Sequence, residues 1–332
     1  MKEKIQQLKN IFETKKTFVL TTHINPDADA LGSEVALARY LSDTGKTVHV
    51  LNNSETPENL LFLNDIFPIT HYKAEQHTQL IINADCFIVL DTNSVSRFKA
   101  LQQAFEQSKA YKIIIDHHLD HEPFADLEII DSHVPATSEL LFIVLNSINN
   151  SVITKPIADA LYAGIMTDTG SFRFPQTDPE THIITADLLK RGVQPYDIFQ
   201  KIYESGPINK LHLLGRALTS ITLHHNGKVA VMTLPRSIFA ETKTVESDVD
   251  NLTQYVLSIG GVVIGIVVME LEHGVKLSFR SKGDIPINEL AKQFNGGGHK
   301  NAAGARIKET TLQSIITIVL EKAKDFLKYY KE

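Results

Sequence analysis

The sequence predicts an α/β protein in two parts: a mostly parallel sheet with helices on both faces, then a smaller α+β domain. Three observations carry this. Short apolar runs alternate with helical periodicity through the first half, the βαβ rhythm of a parallel sheet. The pattern changes at residues 192–206, where Gly, Pro and polar residues gather. Charge changes as well: residues 1–195 carry 25 Asp and Glu against 16 Lys and Arg, net −9, whereas 196–332 carry 14 against 17, net +3. The expected division is 1–195, a linker at 196–217, and 218–332.

Residues 17–22 (TFVLTT) read as a buried strand, and 30–41 follow with Leu31, Val35, Leu37, Ala38 and Leu41 at helical spacing. Further short strands are expected at 47–51, 86–90 and 112–115, separated by segments that can hold helices. Helical patterns continue through 138–145, 155–166 and 181–190, and a helical stretch at 211–217 reads as the connector. Beyond it, 228–234 is a strand, 245–257 a helix, and 262–271 with 275–280 a hairpin turning at Glu272-His273-Gly274. Helices at 287–294 and 311–329 flank a glycine-rich turn. Gly45-Lys46-Thr47 is similar to the end of a phosphate-binding loop, but it leads from helix into strand and Tyr40 stands where a glycine is required. It reads as a helix stop.

Composition excludes several classes. With 332 residues, 43% hydrophobic and 22% charged, the chain is long enough for two independent cores and is not of disordered composition. Cys86 is the single cysteine, so no intramolecular disulfide can form, and this usage fits a reducing cytoplasm. The opening MKEKIQQLKNIFETKK lacks the apolar core of a secretory leader, so the sequon at 251–253 is not expected to be read. The longest apolar run, 259–269, has 11 residues including three glycines, too short to cross a bilayer. A cytoplasmic protein without a membrane partner is expected.

The chemistry gathers where strands end. Residues 17–22 run into His23-Ile24-Asn25-Pro26-Asp27-Ala28-Asp29, 86–90 into Asp91, and 112–115 into Asp116-His117-His118. A parallel sheet brings such ends to one edge, so His23, Asp27, Asp29, Asp91 and His117 are expected to converge. Asp168, in GIMTDTGSF, is a further candidate, with Gly164, Thr167, Thr169 and Gly170 permitting close approach. Taken singly, Asn25-Pro26-Asp27 is a turn, Asp29 a helix N-cap, Asp168 a capping acid and His117 a half-buried histidine. Together they need positive charge between them. Two divalent cations would balance four carboxylates, and mixed carboxylate and imidazole donors suit Mn²⁺ better than a structural zinc. Two such ions about 3.5–4 Å apart activate a shared water and stabilise in-line displacement at phosphorus.

The ordered set His23-x-x-x-Asp27-x-Asp29, Asp91, Asp116-His117-His118 and Asp168 resembles the DHH phosphoesterase superfamily. The later Gly296-Gly297-Gly298-His299-Lys300-Asn301-Ala302-Ala303-Gly304 resembles its DHHA1 substrate domain, and the two-part plan is similar to the oligoribonuclease and pAp phosphatase branch. The resemblance implies that His23, Asp27 and Asp91 hold one ion, that Asp29, Asp91, His117 and Asp168 hold the other, and that Asp91 bridges them. It implies that His118 faces the scissile phosphate and that Asp116 orients the histidines.

In the second part, consecutive glycines let backbone N–H groups approach an anion, and His299 or Lys300 adds charge or a directed hydrogen bond. Asn295 stands where the family commonly has a fourth glycine. Alternation in 275–280 puts Lys276, Ser278 and Arg280 on one face, and the resemblance places Arg280 on a substrate phosphate. Arg97 has two readings, a phosphate contact or a structural ion pair.

The expected function is two-metal hydrolysis of short RNA and of 3′-phosphoadenosine 5′-phosphate (pAp). Long nucleic acid is not expected as a partner: net charge is adverse, and 16 Phe, 9 Tyr and no Trp form no evident stacking track. A homodimer stays open. The alternatives are another DHH enzyme (a linear or cyclic dinucleotide phosphodiesterase, a RecJ-like exonuclease or a pyrophosphatase) or a nucleotide-sensing module without catalysis.

Overall fold

The structure is a computed structural model; it describes residues 1–118, 122–249 and 252–330. The chain divides into two compact units, Met1–Ser205 and Gly206–Glu332.

The first unit runs α1 (Lys2–Thr14), β1 (Thr17–Thr21), α2 (Ala28–Asp43), β2 (Thr47–Asn52), β3 (Ile69–His71), α3 (Ala74–Asn83) and β4 (Cys86–Leu90). It continues with α4 (Gln102–Gln107), β5 (Tyr111–Asp116), β6 (Leu127–Ile130), α5 (Thr137–Asn149), α6 (Lys155–Asp168), α7 (Pro179–Lys190) and α8 (Pro195–Tyr203). The strands form one sheet in the order β3-β2-β1-β4-β5-β6, and every pairing is parallel. Alternation sorts the side chains: Phe18, Leu20, Ile88, Ile113 and Ile115 face one core with α1, α2, α5 and α6, while Val19, Phe87 and Val89 face a second with α3 and α4. Helices therefore cover both faces, as the βαβ rhythm predicts. Phe87, Phe98, Phe105 and Phe124 pack in the second core, mostly edge to face. The strand order reverses between β1 and β4, which opens a crevice beyond their carboxyl ends.

Close helix packing depends on small residues. A Cβ on Gly32 of α2 would stand 2.5 Å from the Ala160 carbonyl oxygen of α6, so only glycine lets these helices meet as they do. Gly45 has φ +83° and ends α2 ahead of β2, while Lys46 donates to the carbonyls of Glu13 and Lys15. That confirms a helix stop.

The second unit contains α9 (Ile208–Thr219), β7 (Thr222–His224), β8 (Val229–Leu234), α10 (Ser237–Thr242), α11 (Leu252–Leu257), β9 (Ile264–Leu271) and β10 (Gly274–Ser281). Then follow α12 (Ile287–Lys292), β11 (Gly297–His299), β12 (Ala302–Ile307) and α13 (Leu312–Phe326). Its mixed sheet has the order β11-β12-β10-β9-β8-β7, with β8 and β9 parallel and the other pairings antiparallel. One face packs on α12 and α13; the other packs on α9, α10 and α11 around Ala230, Met232, Val267 and Met269.

Several expectations need correction. The helix expected at 245–257 is a 3₁₀ turn at Glu246–Asp248 and the separate α11; residues 250 and 251, including the sequon's Asn251, lie outside the described residues. The glycine-rich turn is half strand, since Gly297–His299 pairs with Ala302–Gly304 in a tight hairpin. The Gly- and Pro-containing stretch after residue 192 holds α8, whose Ile198 and Ile202 are buried in the first unit. The strands β3, β6 and β7 are only three or four residues long, and β12 alternates small alanines, so none of them gives a distinct periodic signal.

Candidate active site

The carboxyl ends of β1, β4 and β5 place the site. Leu90 pairs with Ile115, and the Asp91 N–H donates to the Ile115 carbonyl at 3.1 Å. Asp91 therefore leaves the sheet level with Asp116. Its backbone is left-handed, φ +56°, which costs an L-residue about 1 kcal/mol and turns the carboxylate into the crevice. After β1 the chain turns through Asn25, also left-handed at φ +52°, so that Asp27 caps α2. Asp27 Oδ1 accepts the N–H groups of Asp29 and Ala30 at 3.0 and 3.1 Å. The cap is thus Asp27, and Asp29 sits in the first helical turn rather than capping it.

Asp91 is buried and meets imidazoles on both oxygens. Its Oδ2 lies 3.4 Å from His23 Nε2; its Oδ1 lies 3.6 Å from His117 Nε2 and 3.6 Å from His118 Nδ1. Asp168, at the end of α6, places Oδ2 3.4 Å from His117 Nε2. Asp29 is held by the start of α5: Thr137 N–H donates to Oδ2 at 2.7 Å and Ser138 N–H to Oδ1 at 2.8 Å. A helix N-terminus suits an anion there. Thr137 also donates its hydroxyl to Asp91 Oδ1 at 2.9 Å. Sequence reasoning missed Thr137; its signal was the Thr-Ser-Glu run opening the apolar helical pattern.

Histidine tautomers follow from fixed partners. His23 Nδ1 lies 2.8 Å from the Ile24 carbonyl and His117 Nδ1 3.3 Å from that of Val134. A carbonyl only accepts, so each Nδ1 carries a hydrogen, and each Nε2, which faces carboxylate oxygen, is left to take a proton or a cation. Acceptors so opposed repel unless a proton or a cation lies between them. His118 differs: its Nδ1 donates to Asp116 Oδ1 at 2.8 Å, while Asp116 Oδ1 also accepts from the backbone N–H groups of His117 and His118 at 2.9 and 3.3 Å.

Electrostatics describe the same strain. Burial, with Asp91 and Asp27 nearby, raises Asp168 to about 7. Burial and the carboxylates of Asp91, Asp168 and Asp27 hold Asp29 well above the usual range. For Asp91 burial works against the charge, but the His23 hydrogen bond and the neighbouring imidazoles prevail and bring it to about 2. The Asp116 hydrogen bond leads the effects that raise His118. Among the described residues three groups of donors could each hold a metal ion: His23, Asp27 and Asp91; Asp29, His117 and Asp168; and Asp91, His117 and His118. Oxygen and imidazole donors without thiols fit a hard or borderline divalent cation.

In the second unit, Arg280 on β10 is half-buried, and among the described residues its guanidinium donates only to the Phe279 carbonyl, at 3.0 Å. Burial lowers its pKa, yet a guanidinium stays charged. Cross-strand pairing puts Ala302 beside Arg280 and His299 beside Ala302, so Arg280 and His299 share one sheet face. Lys276, Ser278 and Arg280 line a cavity of about 240 Å³ with Leu252, Val267 and Met269. The glycines divide by role. A Cβ on Gly296 would collide with the Gly304 carbonyl oxygen, and one on Gly298 would stand 2.5 Å from that of Ala302, whereas Gly297 faces open space. Asn295 takes φ +55°, so it adopts the left-handed conformation that a glycine would supply. Arg97 has no ion pair among the described residues, and its charge counters the rise at His118.

Strand-end carboxylates and imidazoles on a parallel sheet, with a mixed-sheet second unit, are the architecture of an α/β phosphoesterase. The DHH family N-terminal domain matches residues 17–165 and the DHHA1 domain residues 226–330; the chain belongs to the DHH phosphoesterase family. It is similar to the bifunctional oligoribonuclease and PAP phosphatase NrnA of Thermus thermophilus, 29% identical over 93% of this chain and 89% of the relative. The crystal structure of an exopolyphosphatase-related protein from Bacteroides fragilis superposes with a TM-score of 0.93 at 31% identity, covering 99% and 98% of the two chains. Exonuclease RecJ bound to manganese shares the fold, with a TM-score of 0.55 at 14% identity over 98% and 96%. No helix among the described residues is long and apolar enough to cross a membrane.

Proposed function

We propose that this chain is a two-cation phosphoesterase that hydrolyses short oligoribonucleotides and pAp in the cytoplasm. The observation that carries the reading is Asp91: a buried carboxylate with His23 at one oxygen and His117 and His118 at the other. In this reading His23, Asp27 and Asp91 hold one cation and Asp29, Asp91, His117 and Asp168 the other, with Mn²⁺ the ion of choice. Bound cations supply the positive charge that activates water and neutralises phosphate in an in-line displacement. Asp116 fixes the His118 ring and favours its protonated form, whose Nε2–H donates to a phosphate or leaving oxygen.

The first unit carries the chemistry and the second holds substrate. Arg280 presents its planar fork to a phosphate, His299 adds a directed donor, and the Gly296-Gly297-Gly298 strand lets the ligand approach the backbone. The name of the Thermus thermophilus relative supports both substrates, and the manganese in the RecJ structure supports the choice of ion.

The test is turnover in Mn²⁺ of pAp, RNA dimers to pentamers, a 24-nucleotide RNA, a cyclic dinucleotide and pyrophosphate, side by side. The reading expects pAp and the short RNAs to be hydrolysed and kcat/KM to fall steeply for the 24-mer. Arg280→Ala and His299→Ala should each raise KM for pAp while leaving metal binding intact. Preference for the 24-mer, the cyclic dinucleotide or pyrophosphate would select another member of the family, and binding without turnover of any substrate would select a nucleotide sensor.

A further inference from the structure

On the same sheet face as Arg280, Lys276 of β10 pairs directly with Arg306 of β12. Like charges directly opposite across strands destabilise a sheet unless an anion sits with them. Here the anion is Glu246: its Oε1 lies 2.6 Å from Arg306 and 3.8 Å from Lys276 Nζ. Side-chain exposures of 39% for Lys276, 61% for Arg306 and 41% for Glu246 make this a solvated triad. Such pairs contribute roughly 0–1 kcal/mol, so a stronger anion can take the carboxylate's place. Between this triad and Arg280 the face is floored by Ser278 and Gly304, and Lys276, Ser278 and Arg280 share the wall of the cavity of about 240 Å³, which gives a ligand room along β10.

We propose that Lys276 and Arg306 form a second phosphate subsite, occupied in the free protein by the Glu246 carboxylate, and that Glu246 sets which lengths of RNA profit from it. The inference rests on the short-RNA reading given above. Four residues along a strand span about 13 Å, so the subsite lies too far from Arg280 for the two phosphates of one nucleotide to occupy both. A later phosphate of an oligonucleotide anchored at Arg280 reaches it and displaces Glu246. A mononucleotide leaves the triad as it is. Glu246 is then a specificity-determining residue: it subtracts affinity from the longer substrates alone.

The experiment compares kcat/KM for pAp and for an RNA pentanucleotide in wild type, Glu246→Gln, and the double variant Lys276→Gln with Arg306→Gln, each in Mn²⁺ across a salt series. Glu246→Gln should raise the pentanucleotide value about two- to fivefold, the range an exposed ion pair supports, through KM. The double variant should lower it and flatten the salt dependence by about 0.7 in the log–log slope, the loss of one phosphate contact on a single strand. Both variants should leave pAp unchanged, which also reports an intact fold. Equal effects on pAp and the pentanucleotide, or no effect of either variant on the pentanucleotide, would overturn the subsite. Wild type failing to hydrolyse both substrates would instead strike the functional reading and take the subsite with it.

Discussion

Thr137 ties Asp91 to Asp29: its hydroxyl donates to Asp91 Oδ1 at 2.9 Å and its N–H to Asp29 Oδ2 at 2.7 Å. Two carboxylates from different elements, Asp29 on α2 and Asp91 after β4, are thus oriented by one residue at the start of α5. Thr137→Val keeps the shape and the N–H but removes the hydroxyl, leaving a buried carboxylate oxygen without its donor. Turnover in Mn²⁺ should fall about 10- to 100-fold, as for the loss of groups that orient metal ligands, with an unchanged far-ultraviolet circular dichroism spectrum. Wild-type rates in this variant would show that Asp91 needs no such support.

Gly164 gives a second prediction. A Cβ there would collide with Ser138 Oγ and stand 2.6 Å from Asp29 Oδ1. Gly164→Ala should therefore push α6 away from α2 and α5, costing about 1–3 kcal/mol as an overpacked core site does, and should displace Asp29 and Asp168 together. Thermal unfolding and Mn²⁺ titration read the two effects. A variant with native stability and native metal affinity would mean that the helices separate without consequence.

A third prediction concerns pH and a buried acid that belongs to none of the donor groups, although the charge of Asp91 adds to its shift. Glu34 on α2 accepts from Asn52 Nδ2 at 2.7 Å, and burial raises it to about 8. The folded protein therefore binds this proton more tightly than the unfolded chain, whose glutamate titrates near its ordinary value. The resulting stability is full below that ordinary value and is lost as pH rises through about 8. Each tenfold change in proton affinity is about 1.4 kcal/mol, enough to move Tm by a few degrees. Glu34→Gln mimics the protonated form, so its Tm should match wild type only at acidic pH, below the ordinary glutamate value, should exceed it already near neutral pH, and should exceed it most at pH 9. Parallel Tm–pH curves for the two proteins would place Glu34 outside this linkage.

Most of the architecture that positions the site is legible in the sequence, because apolar runs such as 86–90 and 112–115 are continuous and end abruptly at Asp91 and Asp116. A parallel sheet then makes convergence a matter of topology. Two kinds of feature are not legible. Short elements such as β6, with four residues, and β12, whose buried residues are alanines, show too little of a period, so the glycine-rich stretch reads as a turn although it closes a hairpin. Long-range polar partnerships are also silent: nothing local to Thr137 says that it reaches Asp91, and nothing local to Glu34 says that Asn52 is its partner. The left-handed backbone at Asp91 is likewise set by the sheet around it.

The proposal stands or falls on Asp91 as a carboxylate shared between two cations. The decisive measurement is kcat for pAp in Mn²⁺ with wild type and Asp91→Ala, alongside the Mn²⁺ stoichiometry of each. With a shared ligand, Asp91→Ala loses nearly all turnover and binds fewer ions, while the metal-free variant unfolds near the wild-type temperature. An Asp91→Ala protein that keeps most of its activity and its full complement of Mn²⁺ would contradict the account.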